Sequence, residues 1–219
     1  MRSLIQQFLE RVSPMLVRDS VCLEWGRHYT QSLLVDECHC GDAYRQCPLS
    51  WSLSYGTCTE GIDRGRNEVC ADVARLSQVV PADLRFDVVV CTQVFEHLPD
   101  PWAAARELYR VMAPGGKIVF TVPFIEPHHE AAAQFKDYWR FSLEGVRTLL
   151  EGAGFRIDVL ETAGNGMLAH SALMGHGIGD LLADDLHEAT RADYSAGGRE
   201  SGDVQEAQYM GVHALATKV

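Results

Sequence analysis

The feature that most constrains the fold is the valine-rich run Phe86–Cys91, in which only Asp87 is charged. A continuous run of β-branched residues is typical of a strand that is covered on both faces. The segment Pro101–Met112 follows with helical periodicity, and Asp100 is its candidate N-cap. The apolar segment Lys117–Val122 then forms the next candidate strand. This β–α–β order predicts a parallel sheet.

The same alternation continues on both sides of this unit. Short apolar runs that predict strands alternate with helical stretches, and Ser142 is the candidate N-cap of a helix that ends at Gly154. Because a chain of 219 residues suits one domain, we predict a single α/β domain over residues 1–219. We expect a Rossmann-like, doubly wound, mostly parallel sheet with helices on both faces. The further candidate strands are Val21–Glu24, Thr59–Asp63, Glu68–Ala71, Phe155–Leu160 and Val212–Ala216.

Three segments lie outside this alternation. Residues 1–19 carry apolar side chains at steps of three and four, which predicts an amphipathic N-terminal helix that packs on the domain. Residues 27–57 are more than one helix and two turns require, and we interpret them as a Cys-containing insertion. Residues 184–206 are acidic and contain Gly and Ser, so we expect a mobile surface segment there.

Charge and hydropathy limit the partners. The chain has 19 basic and 30 acidic residues, a net charge of −11 with neutral histidines, and no cluster of Lys and Arg. A surface of this sign repels a phosphate backbone, so we expect neither nucleic acid nor an anionic membrane as a partner. Without a secretory signal, or an apolar window of the ~18 residues that a membrane-spanning helix needs, the expected location is the cytoplasm. The oligomeric state is left open.

Seven cysteines are an odd number for a disulfide framework, and in a reducing compartment thiols or metal ligands are the usual state. Four of them lie close enough in sequence for a tetrahedral zinc or iron–sulfur site. Their spacing lacks paired C-x2-C motifs, so we favour ordinary thiols and predict no metal, with zinc as the alternative. The other three lie on candidate strands and are predicted to be core residues. The four clustered cysteines are Cys38, Cys40, Cys47 and Cys58, and the other three are Cys22, Cys70 and Cys91.

Polar residues follow the candidate strands at their ends. Open parallel sheets bind ligands outside the carboxyl ends of their strands. Two carboxylates at neighbouring strand ends suit a nucleoside, because one can accept hydrogen bonds from ribose hydroxyls and the other from the exocyclic amine of adenine. The candidate cofactor-binding residues at these ends are Glu24, Gly26, Asp63, Asp72, Thr92 and Gln93.

The segment 86–123 combines a buried strand, the sequence Glu-His-Leu, a helix, Pro-Gly-Gly and a strand that ends in Val-Pro. It resembles the second half of class I S-adenosylmethionine (SAM) dependent methyltransferases. The likeness continues through His129 and Asp137–Ser142 (DYWRFS), which is similar to one branch that methylates small molecules. The resemblance covers roughly residues 20–160 and implies the Rossmann-like fold predicted above.

Two upstream segments are similar to the cofactor motifs of the same family. The sequence GIDR at 61–64 is similar to the ribose-binding motif, and CADVARL at 70–76 is similar to the adenine-binding motif. The resemblance therefore implies that Asp63 binds the ribose and that Asp72 and Val73 bind the adenine.

The first glycine motif departs from the family pattern. The family usually carries several glycines after the first strand, where the backbone approaches the methionine part of the cofactor. Here Gly26 is kept, but Arg27, His28 and Tyr29 follow it, and their side chains would crowd that approach.

This departure leaves two alternatives to a methyltransferase open. One is a methyltransferase fold that has lost methyl transfer and serves another reaction, or binds a metal through the Cys38–Cys58 insertion. The other is a partner subunit that contacts an enzyme through its acidic segment.

The resemblance implies an enzyme that moves a methyl group from SAM to a small-molecule acceptor. Such a transfer is a direct displacement that depends on alignment and on exclusion of water, and a base is needed where the acceptor has a proton to lose. His129 is the first candidate base because it follows the strand at 117–122 on the acceptor side; His97 and Tyr138 are the other candidates. No pattern in the sequence identifies the acceptor.

Overall fold

The computed structural model describes residues 2–16, 20–25, 49–56, 58–129, 136–174 and 209–219. Several sequence predictions lie outside these residues. They concern Gly26 with the three bulky residues after it, the segment 184–206, and the three cysteines Cys38, Cys40 and Cys47.

The described residues form five α-helices and eight strands. The helices are α1 (Arg2–Val12), α2 (Leu76–Val79), α3 (Pro101–Val111), α4 (Leu143–Ala153) and α5 (Gly166–Leu173). The strands are β1 (Val21–Trp25), β2 (Leu49–Ser54), β3 (Gly61–Asp63), β4 (Glu68–Cys70), β5 (Phe86–Thr92), β6 (Met112–Pro123), β7 (Phe155–Ala163) and β8 (Gly211–Lys218).

The strands form one sheet in the order β3-β4-β2-β1-β5-β6-β8-β7. The central pairs β4–β2, β2–β1, β1–β5 and β5–β6 are parallel. Strand β8 is antiparallel to both of its neighbours, and β3 is antiparallel to β4 at the opposite edge. The predicted fold class, a mostly parallel Rossmann-like sheet, is confirmed.

Helices cover both faces of the sheet. Successive residues of β5 alternate between faces: Val88 contacts the apolar stripe of α1, and Val89 belongs to the larger core that includes residues of α3 and α4. Helix α1 ends at Val12, and Pro14 lies in the 3₁₀ turn that follows. The apolar side of α1 thus packs on one face of the sheet. Among the described residues, no helix has the length and apolarity needed to cross a membrane.

The second strand of the parallel sheet differs from the prediction. The sequence pattern predicts this strand at Thr59–Asp63, but the strand beside β1 is β2, within the segment interpreted as an insertion. The predicted segment contributes only the short β3, which forms an antiparallel hairpin with β4. Asn67 ends the turn of this hairpin with a φ of 53°, a left-handed conformation that asparagine tolerates. Asp63 therefore ends a strand that runs against its parallel neighbours.

The cysteines also differ from the prediction. Cys58 and Cys70 form a disulfide whose Cα atoms are 6.0 Å apart, within the usual range. Cys22 is disulfide-bonded as well, so the prediction of free thiols is wrong for these three residues. Cys58 is therefore not available as a thiolate ligand of the alternative zinc or iron–sulfur site. Cys22 and Cys91 are buried in the core as predicted, whereas Cys70 is only half-buried.

Candidate active site

The strand order reverses beside β1, where β2 lies on one side and β5 on the other. In open α/β sheets this reversal creates a crevice outside the carboxyl ends of the strands. Glu24 is the next-to-last residue of β1, where it is buried and lies in register with Ser52 of β2 and Val90 of β5. The sheet thus brings Glu24 to the edge of the crevice.

Asp72 lies at the same edge, two residues after the end of β4. Its Oδ1 accepts a hydrogen bond of 2.9 Å from the backbone N–H of Ala74 and caps the 3₁₀ turn there. Its Oδ2 is 3.7 Å from Nε of Arg75, beyond hydrogen-bond distance. Val73 follows with a buried side chain. Asp72 is half-exposed and has room to accept a further donor from the crevice.

Asp63 lies elsewhere, and the predicted ribose contact is not supported by the geometry. In the antiparallel hairpin Asp63 pairs with Glu68, the first residue of β4, and so lies at the amino end of that strand. Its Oδ1 accepts hydrogen bonds from the backbone N–H groups of Gly65 and Arg66, which stabilises the hairpin turn. The structure therefore brings Glu24, Asp72 and the end of β5 to one edge, and leaves Asp63 at the other.

The end of β5 supplies the next two predicted cofactor residues, Thr92 and Gln93. Thr92 is buried, and Gln93 adopts a φ of 52°. The backbone N–H of Gln93 donates to the carbonyl oxygen of Thr121 at 2.9 Å, and its side-chain Nε2 donates to Oγ1 of Thr121 at 3.2 Å. A left-handed non-glycine residue costs energy, and such residues are concentrated at functional sites. The left-handed conformation of Gln93 turns the chain sharply at the crevice, and its two hydrogen bonds to Thr121 hold the ends of β5 and β6 together.

The acceptor side of the crevice is built from three segments. They are the 3₁₀ turn after β5, residues 124–129 after β6, and residues 136–141. The backbone N–H of Tyr138 donates to the carbonyl oxygen of Glu96 at 2.7 Å, and that of Phe141 donates to Pro123 at 3.0 Å. The indole N–H of Trp139 donates to the carbonyl oxygen of Leu98 at 2.7 Å. The third segment therefore holds the first two in place.

Asp137 connects these segments through its buried carboxylate. It accepts a hydrogen bond of 2.6 Å from the guanidinium of Arg140 and one of 2.8 Å from the backbone N–H of His129. Burial by itself would raise the pKa of Asp137, but these hydrogen bonds outweigh it and lower the pKa to about 2. Arg140 also donates to the carbonyl oxygens of Glu126 and Pro127. The Asp137–Arg140 pair thus fixes the chain around His129.

His97 lies between Glu96 and His129. Its Nδ1 is 2.9 Å from the carbonyl oxygen of Lys136, and since a carbonyl can only accept, Nδ1 carries the proton and Nε2 has a free lone pair. Nε2 is 3.8 Å from Oε1 of Glu96, and the ring lies edge-on to that of His129 with centroids 5.1 Å apart. Burial lowers the pKa of His97, so its neutral form is favoured near pH 7.

His129 and Tyr138 differ in how closely they join this group. His129 is partly exposed, and its Nδ1 is 3.2 Å from the carbonyl oxygen of Pro127. The side chain of Tyr138 is half exposed, although its backbone is bonded to Glu96. The side chain of His128 is 71% exposed, and its Nδ1 is 3.4 Å from Oδ2 of Asp137. The structure therefore brings His97 and His129 together and leaves Tyr138 at the rim.

Glu96 is the residue that the sequence analysis missed. It is fully buried, and neither carboxylate oxygen has a hydrogen-bond partner among the described residues. Burial raises the pKa of Glu96 to about 8, with a smaller contribution from the charge of Asp137. The sequence Glu-His-Leu marks this position, but the burial of the Glu96 carboxylate depends on tertiary packing and cannot be derived from the local sequence.

The strand order, the crevice and its strand-end carboxylates define a Rossmann-like α/β domain of the kind that binds nucleoside cofactors. Residues 35–159 match the model of a methyltransferase domain family. This is more than half of the chain, so the chain belongs to that methyltransferase family. The resemblance predicted from residues 86–142 is confirmed.

Relatives and solved structures agree with this assignment. The chain is 36% identical over 61 residues to a ubiquinone biosynthesis O-methyltransferase of Pseudomonas entomophila; the match covers 28% of the chain and 25% of the relative. The chain thus spans about a quarter of the length of this curated relative.

Two solved structures share the fold. A SAM-dependent methyltransferase from Archaeoglobus fulgidus has a TM-score of 0.52 and 16% identity, covering 100% of this chain and 95% of that one. The (4+2)-cyclase SpnF has a TM-score of 0.54 and 18% identity, covering 97% and 81%. At these identities the likeness concerns the fold alone.

Proposed function

We propose that this protein transfers the methyl group of SAM to a small-molecule acceptor. The observation that carries the proposal is the position of Asp72 and Val73 at the carboxyl end of β4, on the crevice edge of a methyltransferase-family domain. When bound, the sulfonium of SAM supplies an electrophilic methyl group. The protein's own contribution is to align the two reactants and to exclude water between them.

The residues on the cofactor side fit an adenosyl group. Asp72 keeps acceptor capacity after capping its turn, so its carboxylate can accept from the exocyclic amine of adenine, with Val73 beside the ring. Glu24, Thr92 and Gln93 would lie against the rest of the cofactor at the ends of β1 and β5. Asp63 is left out of this set because of its place in the hairpin turn.

On the acceptor side, His97 and His129 are the groups suited to proton transfer, with Tyr138 at the rim. The lowered pKa of His97 favours a neutral imidazole that is able to accept a proton from an acceptor hydroxyl or amine. Phe124 and Tyr209 stack at the carboxyl end of β6 with ring centroids 4.5 Å apart, and would give the acceptor an apolar wall. The cytoplasmic location and the absence of a nucleic-acid partner stay predictions.

Calorimetric titration with SAM and with S-adenosylhomocysteine tests the proposal. The variant Asp72→Asn keeps an oxygen for the N-cap but replaces the second acceptor with a donor. A lost hydrogen bond to a charged group costs about 1.5–3 kcal/mol, so we expect binding to weaken by roughly 10- to 150-fold.

Asp63→Asn is the matched control, because it changes the acid of the GIDR segment, whose Oδ1 accepts hydrogen bonds within the hairpin turn. It should leave the affinity for both ligands within about twofold. Absence of binding by the unmodified protein at millimolar ligand would refute the proposal. Weaker binding by Asp63→Asn than by Asp72→Asn would overturn the assignment of the residues.

A second measurement, the formation of S-adenosylhomocysteine, tests the alternative that this methyltransferase fold catalyses a different reaction. The structural neighbour SpnF bears the name of a cyclase, so the shared fold does not by itself imply methyl transfer. Protein that binds SAM but forms no S-adenosylhomocysteine with any member of a panel of phenols, carboxylic acids and amines would favour that alternative. Formation of S-adenosylhomocysteine with one of them would support the transfer.

A further inference from the structure

Three metal-ligating side chains lie together at the acceptor end of the crevice. Glu96, His97 and His129 each offer one ligand atom, and these three atoms all lie within 4.8 Å of one another. Two ligands of one tetrahedral zinc ion, at bond lengths of ~2.0–2.2 Å, lie roughly 3.4 Å apart. The 3.8 Å between Nε2 of His97 and Oε1 of Glu96 is close to that spacing. Small shifts of the side chains would place all three atoms on one ion.

The carboxylate of Glu96 is an independent sign that a ligand belongs here. A buried carboxylate is costly unless hydrogen bonds or a cation compensate it. Both oxygens of Glu96 are buried without a hydrogen-bond partner among the described residues, and one of them faces His97. Arg140 is the nearby cation, but its donors go to Asp137 and to the carbonyl oxygens of Glu126 and Pro127. None of these donors reaches Glu96, so its buried carboxylate is left to take either a proton or a bound cation.

The two imidazoles are held in the manner of metal ligands. Metal-bound histidines usually donate their second ring N–H to a carbonyl or a carboxylate, which fixes the tautomer and the orientation of the ring. Nδ1 of His97 is 2.9 Å from the carbonyl oxygen of Lys136, and Nδ1 of His129 is 3.2 Å from that of Pro127. Nε2 of each ring is then the atom available to an ion. The carboxylate of Asp137 fixes the backbone of His129 and completes this support.

We propose that Glu96, His97 and His129 bind a first-row divalent cation, with zinc as the preferred ion. One carboxylate with two imidazoles is a donor set of catalytic zinc sites, which leave a fourth position open. This site is distinct from the cysteine cluster considered in the sequence analysis, since none of its ligands is a thiolate.

The chemical role of the cation rests on the proposed function, whereas its binding does not. An acceptor hydroxyl at the open position would have a lowered pKa and lose its proton to water near neutral pH. Its oxygen then forms the new bond to the methyl carbon, and the electron pair of the broken C–S bond stays on sulfur. The cation would thus promote the loss of the acceptor proton in place of the neutral imidazole of His97.

Titration of chelator-treated, tag-free protein with Co²⁺ tests the site by visible absorption, and competition by Zn²⁺ gives the relative affinity. Cobalt identifies its ligands, because thiolates add intense near-ultraviolet charge-transfer bands that nitrogen and oxygen ligands lack. We expect one equivalent of Co²⁺ without these bands, displaced by Zn²⁺. Glu96→Gln and His129→Ala should each weaken binding by at least tenfold, while a melting curve checks that both variants are folded.

His128→Ala is the matched control, because His128 is the adjacent histidine, is 71% exposed and is not one of the three clustered ligands. It should leave cobalt binding unchanged. No binding at millimolar Co²⁺, thiolate bands in the spectrum, or equal loss in His128→Ala and His129→Ala would each overturn the site. Calorimetry with SAM on the same chelated protein separates this outcome from a failure of the proposed function, because cofactor binding does not require the cation.

Discussion

Replacement of Asp137 by asparagine should loosen the acceptor side of the crevice. The carboxylate is only 1% exposed and holds the guanidinium of Arg140 and the backbone N–H of His129. Its pKa falls from an ordinary 3.8 to about 2, and one pKa unit corresponds to about 1.4 kcal/mol. At pH 7 the charged form therefore stabilises this region by about 2.5 kcal/mol. Asparagine loses that contribution and turns an amide donor toward Arg140.

The chain offers a matched control in Glu144→Gln. Glu144 and Arg147 form another carboxylate–arginine pair three residues apart, but 71% of the Glu144 side chain is exposed. Exposed pairs of this kind contribute only about 0–1 kcal/mol. Burial, and not the spacing of the charges, is thus the variable that separates the two substitutions.

Urea unfolding and amide hydrogen exchange give the readout. In Asp137→Asn we expect the free energy of unfolding to fall by about 2–3 kcal/mol if the whole domain responds. If the opening is local, the amides of His129 and Tyr138 should instead exchange up to roughly 100-fold faster. Glu144→Gln should lower the free energy of unfolding by no more than about 1 kcal/mol and should leave the exchange rates of these two amides unchanged. Equal effects of the two substitutions, or unchanged exchange and stability in Asp137→Asn, would refute the reasoning.

Two further predictions concern stability. Gly116→Ala should lower the free energy of unfolding in urea by about 1–3 kcal/mol, because its Cβ would meet the carbonyl oxygens of Ala113 and Asp87 at 2.9 and 3.0 Å. The Cβ of Gly152→Ala in α4 meets nothing within 4 Å, so this substitution should raise the free energy of unfolding by about 0.5–1 kcal/mol. His213 is buried, and burial, with Arg11 nearby, lowers its pKa to about 3. Between pH 6.5 and 3 His213 is therefore protonated in the unfolded chain but not in the folded protein. The free energy of unfolding should consequently fall by about 2 kcal/mol from pH 7 to 5. His213→Phe should lack this contribution, and parallel pH curves of the two proteins would contradict it.

The sequence predicts the position of a helix or strand well where one or both faces of that element are buried. The apolar run of β5, the helix α3 and the cap at Asp100 follow from local patterns, and Asp100 does accept a hydrogen bond from Ala103 at its predicted place. Strand β2 alternates serine with Leu and Trp, a weaker pattern, and lies in a segment whose cysteines favoured another interpretation. Its position depends on the pairing with β1, which is a property of the whole sheet.

The site residues show a second limit. An acid at the end of a short strand has the same local sequence whether that strand runs parallel or antiparallel to its neighbours. Asp63 and Asp72 therefore looked equivalent, and only the direction of β3 separates them. The disulfide of Cys58 with Cys70 depends in the same way on tertiary proximity, because Cys58 precedes β3 and Cys70 ends β4.

Glu96 and Asp137 show why burial by itself does not determine the state of a carboxylate. Both side chains are removed from water, yet the pKa of Asp137 is lowered to about 2 and that of Glu96 is raised to about 8. The difference lies in their donors. Asp137 receives the guanidinium of Arg140 and a backbone N–H, whereas neither oxygen of Glu96 has a hydrogen-bond partner among the described residues. By binding Arg140, Asp137 fixes the chain around His129, and the donors of Arg140 go to Asp137 and to backbone carbonyl oxygens but not to Glu96. The same ion pair that positions the imidazoles thus leaves beside them a carboxylate that requires either a proton or a metal ion.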